Sequence, residues 1–314
     1  MLSTRFQVRI VREWHACDRA AQDAAMIALH ARRSAASIQA WSIANPGRGL
    51  AVVLTGTDLY RDIRGDASAQ RSLELANVLV VLQDQAARSL APSIRDKARV
   101  IYPSTTARRT LAKTRRHLRA VMVGHLRSEK SPQTLFQAAR ELVADADILI
   151  DHIGAALESG LAEEASATMR DRPNYRWLGA LPHEEVRRRI QRAHVLVHPS
   201  AMEGGAHVIM EALCCGTPVL ASRVAGNVGM LGDDYGGYFE LVDSQGLAHL
   251  LGVCRDALHA TTPSPTLLQR LARQCEARVP LFDPSAEKQA LHDLCSSLTG
   301  SAPSGCSQGA ACLP

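Results

Sequence analysis

The stretch HPSAMEGGAHVIMEALCCGTPVLAS, His198 to Ser222, gathers residue types that hold a charged small molecule. A loop carrying Glu203, Gly204 and Gly205 follows an apolar run that ends at His198. A helical pattern from Val208 to Cys215 comes next, and Gly216-Thr217-Pro218 ends it. Two glycines directly ahead of a helix let the backbone approach an anion, whose charge then meets free N–H groups and the positive end of the helix. A diphosphate is the ligand such a loop suits. Glu203 and Glu211 are eight residues apart, which puts both on roughly one side of the loop-helix unit. A carboxylate there can take both hydroxyls of a ribose or a sugar, each charge-assisted bond contributing about 1.5–3 kcal/mol.

The elements that must position these groups read as alternating strands and helices. Short β-branched or apolar runs recur at Gln7 to Val11, Ala25 to Leu29, Ala51 to Thr55, Leu79 to Leu82 and Val100 to Tyr102. They resume at Ala120 to Gly124, Ile148 to Ile153, Tyr175 to Leu178, Val195 to Val197 and Pro218 to Ala221. Amphipathic stretches separate them; one is Gln133 to Val143, opened by Ser131-Pro132, with Leu135, Ala138, Ala139 and Leu142 at helical spacing. Strand, helix, strand at this spacing means parallel sheets flanked by helices. The expected fold class is therefore α/β, with two Rossmann-like domains in tandem and a ligand site at a carboxyl sheet edge. The first domain is expected over 1–104 and a basic, solvated linker over 105–119, where Arg108, Arg109, Lys113, Arg115, Arg116 and Arg119 crowd together. A second Rossmann-like domain is expected over 120–283, a further helix over 284–299, and a disordered tail over 300–314.

Composition excludes other classes. With 46% hydrophobic and 21% charged residues among 314, the chain can bury a sizeable core and is not intrinsically disordered. Only four of its 36 basic side chains are lysine. The net charge of +5 is compatible with an anionic small substrate, and no nucleic-acid module is visible. No apolar run reaches the roughly 18 residues of a membrane span, and Arg5, Arg9 and Arg12 stand where a signal peptide needs its apolar stretch. A cytoplasmic protein without stable membrane insertion is expected. The eight cysteines form no CxxC pair and read as reduced thiols. His194 and His198 read as packed residues of a strand rather than metal ligands, and no Asp-x-Asp motif suggests a metal.

Three blocks of the second half resemble the retaining family 4 glycosyltransferases of the GT-B fold. They are VMVGHLRSEKSPQTLFQAAREL (Val121 to Leu142), YRWLGALPHEEVRRRIQRAHVLVHPS (Tyr175 to Ser200) and the Glu203 to Glu211 block with its flanks. The resemblance implies a cleft between the two domains, a nucleotide-sugar-binding site on the second, over 120–283, and a return of the helix 284–299 to the first domain. By it, Lys130 binds the donor's diphosphate after the Gly124 turn; His125 stands where the family has arginine, and Arg127 is the substitute guanidinium. Lys130 and the Gly204, Gly205, Ala206 and His207 amides then stabilise the leaving diphosphate. Glu203 takes the donor sugar and Glu211 the ribose, and the backbone at Trp177 and Leu178 lies beside the base. The catalytic set implied is Glu203, Lys130 and Arg127, with no cofactor and no metal.

In the first half, ALHARRSAASI (Ala28 to Ile38) and VVLTGTDLYRDI (Val52 to Ile63) resemble one branch, the bacterial selenosugar synthases of selenoneine biosynthesis. That branch implies transfer of selenium from selenophosphate to the anomeric carbon of UDP-N-acetylglucosamine. It places His30, Arg32, Arg33, Thr57, Asp58 and Arg61 on the acceptor side of the cleft, the arginines holding the phosphorylated nucleophile. A soft anionic selenium needs no strong general base, and none is evident. Members of the family open with a further strand, loop and helix before the strand matching Gln7 to Val11, so the first domain is expected to be truncated by about one strand-helix unit. The alternatives are transfer to a hydroxyl acceptor, a nucleotide-sugar epimerase, and a nucleotide-sugar-binding protein without turnover. Turnover of UDP-N-acetylglucosamine with no acceptor would mark the epimerase.

Overall fold

The computed structural model describes residues 1–17, 22–142, 147–261 and 263–300; the tail expected over 300–314 falls outside them from residue 301 on. The chain divides into two compact units. The first comprises Met1–Val81, Leu90–Ile101 and the chain from Ser285; the second comprises Leu82–Ser89 and Tyr102–Pro284.

The first unit is built on four parallel strands in sequential order: β1 (Ala25–Leu29), β2 (Gly49–Val53), β3 (Val78–Val81) and β4 (Ala98–Val100). Helices Ala35–Ala44 and Ala67–Leu75 make the first two crossovers. The latter is capped by Asp66, whose side chain accepts from the Ser68 and Ala69 amides at 2.9 and 3.0 Å. The helix Pro284–Leu298 closes the core, its Leu294 and Leu298 packing with Ala51, Val80 and Ile101.

Gln7 to Val11 is not the strand its alternation suggests. Ile10 is 91% exposed, and the segment has no ladder partner, because β1 is the edge of its sheet and pairs only with β2. Alternation alone does not hold a strand whose apolar face has nothing to cover it. The segment is held instead by the Arg9–Asp23 ion pair and by Trp14, which is buried edge-on against Trp41.

The second unit has six parallel strands: β5 (Leu118–Val123), β6 (Ile148–Ile153), β7 (Tyr175–Trp177), β8 (Val195–His198), β9 (Val219–Ser222) and β10 (Tyr238–Phe239), the last too short to stand out in sequence. Their spatial order is β10-β9-β8-β5-β6-β7. This is the doubly wound Rossmann order, in which the chain reverses direction between β5 and β8 and opens a crevice at their carboxyl ends. Both strands are buried nearly throughout, as a sheet covered on both faces requires.

The basic stretch expected as a solvated linker belongs to the second unit. An extended chain without a ladder must find other partners for its backbone, and this one does. Arg108 N donates to Cys214 O at 2.9 Å, while Arg187 Nη2 donates to Thr106 O and Gln191 Nε2 to Arg109 O, both at 2.7 Å. Among the described residues no helix is long and apolar enough to cross a membrane. Six described cysteines are free thiols, and burial pushes Cys254 up to about 12 and Cys275 up to about 11. Such thiols are inert near neutrality.

Candidate functional site

The crevice at the β5/β8 switch point holds a cavity of about 380 Å³. Gly124, His125 and Lys130 line it from the turn after β5, and Glu203, Gly205, Ala206 and His207 from the loop after β8. Val123, Ile153, Leu181, Val186 and Val208 supply apolar wall. Seven residues expected at a donor site therefore meet at one place, although they lie up to 83 positions apart in sequence.

The turn after β5 is held open by close packing. Gly154 N donates to Gly179 O at 2.8 Å, and a Cβ on Gly154 would stand 2.0 Å from Gly124 O. Only glycine lets the two strand ends approach this far. His152, beneath them, bonds Gly124 O at 3.1 Å and the Tyr175 hydroxyl at 2.9 Å. Burial pushes its pKa down to about 4, so the ring is neutral and structural.

Lys130, at the end of the 3-10 turn Ser128–Lys130, donates to Glu203 Oε1. His198 Nε2 stands 3.1 Å from the same oxygen. Burial alone would raise the Glu203 carboxyl, but His198 and Lys130 outweigh it and hold the group well below the usual carboxylate range. His198 is pushed down by burial, against the pull of Glu203. The result is a buried carboxylate and a nearly buried ammonium, placed so that the cation can face an anion in the cavity. His198, which reads in sequence as a packed strand residue, thus belongs to this cluster. Its position as the last residue of a strand leading into the glycine loop was the available signal. Its neighbour His194 is structural, accepting from Arg119 N at 2.8 Å and bonding Thr114 O at 2.9 Å.

Glu211 is not in the cavity wall with Glu203. It lies on the helix His207–Leu213, 9% exposed, with its Oε1 at 2.7 Å from His183 Nε2 and 4.0 Å from Arg187 Nε. The helix is seven residues, shorter than Val208 to Cys215 suggested, and its amino end at Ala206 and His207 reaches the cavity. Arg127 also departs from expectation. It follows the fully buried Leu126, which is bridged to Ala156, and is not among the residues lining the cavity. His125 is the residue that lines it, its Nδ1 accepting from Ala155 N at 3.0 Å. Gly204, Trp177 and Leu178 lie outside the lining. Trp177 Nε1 donates to the O of Gly154, a residue of the cavity wall, at 2.9 Å, and Leu178 N donates to His152 O at 2.8 Å, so both brace the wall from behind.

In the first unit, the residues expected on the acceptor side form a second cluster at the carboxyl ends of β1 and β2. His30 adopts a left-handed φ of 77°, which directs its ring at the π-helical turn Asp58–Asp62. Its Nδ1 is 2.6 Å from Asp58 Oδ1 and its Nε2 3.1 Å from Thr57 Oγ1. Burial pushes the His30 pKa down, with Asp58 opposing. The absence of an evident base is thus corrected: an imidazole oriented by a fully buried aspartate can take up a proton. Asp62 receives two guanidinium groups, Arg32 Nε at 3.1 Å and Arg61 Nε at 3.1 Å. The Arg33 amide nitrogen lies 3.3 Å from His30 Nδ1, which faces Asp58. Among the described residues, His30, Asp58 and Asp62 are the group whose ligand atoms, within 4.8 Å of one another, suit a metal ion.

Residues 104–250 match the family described as glycosyl transferases group 1. Two proteins named D-inositol 3-phosphate glycosyltransferase are similar over part of the chain. The one from Geodermatophilus obscurus is 32% identical over 132 residues, 39% of this chain and 29% of that protein. The one from Corynebacterium urealyticum is 34% identical over 131 residues, 39% and 30%. The match thus spans under a third of the length of these relatives. Among solved structures, Anabaena HepE in complex with UDP superposes with a TM-score of 0.71 at 18% identity, covering 89% of this chain and 80% of that one. Sucrose-phosphate synthase from Thermosynechococcus elongatus does so with 0.69 at 18%, covering 90% and 76%. The likeness shows the fold: two Rossmann-like units of the GT-B class. The span matched by that family, residues 104–250, lies within the second unit.

Proposed function

We infer that the protein is a glycosyltransferase that binds a nucleotide-sugar donor in the cavity at the β5/β8 switch point. The observation that carries this reading is Lys130 beside Glu203 in that cavity, facing the Gly205 to His207 loop and helix start. A diphosphate seated there meets an ammonium and backbone N–H groups. Negative charge grows on the departing diphosphate during transfer, and donors fixed around it stabilise that growth. Lys130 and the loop amides take this part; His125, at the cavity wall, replaces Arg127 as the second group near the phosphates. Glu203 binds the donor sugar, and Glu211 takes the ribose once His183 yields it. No metal is required for these steps. HepE, whose structure contains UDP, supports a uridine nucleotide as the donor's base.

For the acceptor, the reading is selenophosphate, with the donor UDP-N-acetylglucosamine. The anionic selenium attacks the anomeric carbon, the bond to the diphosphate oxygen breaks, and UDP leaves. Arg32 and Arg61, braced on Asp62, are the cations for the phosphoryl group. Transfer to the hydroxyl of a phosphorylated acceptor is the second reading. The name shared by the two curated relatives favours it, and His30 with Asp58 supplies the base that a hydroxyl would need. Incubation with UDP-N-acetylglucosamine and selenophosphate, followed by mass spectrometry, tests the reading. A selenium-bearing sugar released together with UDP is expected. Transfer confined to hydroxyl acceptors would overturn the selenium assignment and leave the transferase; UDP release with no acceptor at all would overturn both.

A further inference from the structure

A second cavity, of about 410 Å³, opens on the second unit, beside the helix whose His183 and Arg187 contact Glu211. Its wall is made by Arg108, Arg109, Arg188 and Arg192 with Glu184 and Gln191, none of which lines the switch-point cavity. Leu111 is the one apolar side chain in the wall. Arg188 and Arg192 stand one turn apart on the helix His183–Arg192. Arg108 and Arg109 come from the basic stretch, and they are held opposite that helix because Gln191 Nε2 grips Arg109 O at 2.7 Å and Arg187 Nη2 grips Thr106 O at 2.7 Å.

The charge in this wall is unbalanced. Glu184 is its only acid, and it already accepts from Arg108 Nη2 at 2.6 Å. Arg109, Arg188 and Arg192 make no ion pair among the described residues. Like charges one helical turn apart repel, so this arrangement lacks a counter-charge of its own. Guanidinium forks match the paired oxygens of phosphoryl groups better than any other side chain does. A concave wall with one leucine offers nothing to insert into a bilayer, whereas its volume lies within the range of small-molecule sites.

We propose that this cavity binds a soluble oligophosphate, a small anion with two or more linked phosphoryl groups. The site does not depend on the donor reading, since the two share no residue. Calorimetric titration of the full chain with inorganic tripolyphosphate at fixed ionic strength tests it. Binding should persist in Lys130→Ala and weaken at least about tenfold in Arg188→Gln/Arg192→Gln, the loss of two charge-assisted contacts. Arg109→Gln should weaken it as well, without touching the helix. Arg115→Gln/Arg116→Gln removes the same charge from outside the wall and should leave affinity within about twofold. The proposal is overturned if both double variants weaken binding equally, if Lys130→Ala abolishes it, or if no tripolyphosphate binds. Binding to phosphatidylglycerol vesicles without tripolyphosphate binding would likewise overturn it. Thermal melts of each variant establish that the fold is kept.

Discussion

Lys130 Nζ donates to Glu203 Oε1 inside the switch-point cavity, and His198 Nε2 approaches the same oxygen at 3.1 Å. A single buried carboxylate therefore fixes the cation that the proposed function sets against a donor's phosphates. Lys130→Ala should lower turnover by about 10²- to 10³-fold, the scale of losing one preorganised donor to a developing anion. Steady-state kinetics with the donor varied check this. A rise in the Michaelis constant with turnover unchanged would show that Lys130 binds the ground state and transition state equally.

Glu203 also sets a pH dependence. Its carboxyl is held well below the usual range once His198 and Lys130 outweigh the effect of burial. A carboxyl lower in the folded than in the unfolded chain contributes stability above the unfolded value, near 4.3, and loses it as pH falls toward the folded value. Glu203→Gln should therefore melt below the wild type at pH 7, and the gap should narrow from about pH 5 downward. Thermal unfolding from pH 3 to 8 measures it. A gap that stays constant with pH would mean the pair contributes packing rather than charge.

Gly226 places the loop that carries Glu203. A Cβ at this position would stand 1.9 Å from Glu203 O, a backbone atom that cannot swing aside. Gly226→Ala should cost about 1–3 kcal/mol, as overpacking does, and should weaken UDP binding because Glu203 and Gly205 shift together. Gly252→Ala, in the helix Ser244–Asp256 with open space around it, is the matched control and should stabilise by about 0.4–1 kcal/mol. Chemical denaturation of the pair checks both signs.

The parallel α/β architecture was legible because buried strands such as Val78–Val81 are uninterrupted apolar runs set between helical stretches. The switch-point loop was legible because Glu203, Gly204 and Gly205 sit between strand and helix signals. What sequence could not reach was set by tertiary partners. Gln7 to Val11 alternates correctly, yet no neighbouring strand pairs with it. Arg127 and His125 are two residues apart, and no spacing in the sequence shows that His125 is the one that lines the cavity. The contacts of Glu211 with His183 and of His30 with Asp58 join residues 28 positions apart. No local period records such a pairing.

On the proposed function, His183 and a ribose compete for Glu211. His183 Nε2 lies 2.7 Å from Glu211 Oε1 and is largely exposed, so it can leave when a ribose arrives. Glu211→Ala should weaken UDP binding by about 1.5–3 kcal/mol, a charge-assisted bond lost. His183→Ala should tighten it by up to about tenfold, since one hydrogen bond of about 0.5–1.5 kcal/mol no longer has to be broken. Calorimetry with UDP on both variants is the measurement. A weaker affinity for His183→Ala would show that the imidazole supports the ribose site instead of occupying it.

The first unit makes a separate prediction about the acceptor. Arg32 and Arg61 each hold an oxygen of Asp62 at 3.1 Å, so one buried carboxylate presents two partly exposed guanidinium groups together. If these groups take the phosphoryl end of selenophosphate, they act on its binding and leave the donor untouched. Arg61→Ala should then raise the Michaelis constant for selenophosphate by about five- to tenfold, with turnover unchanged, because uniform binding of one substrate is lost. UDP-sugar affinity should stay within about twofold. Asp62→Asn, which leaves both arginines without their shared anchor, should raise the same constant further while the second unit's thermal transition is unmoved. Kinetics with each substrate varied in turn separate the two effects. An equal rise in both Michaelis constants would remove the arginines from acceptor binding and assign them to the stability of the π-helical turn Asp58–Asp62.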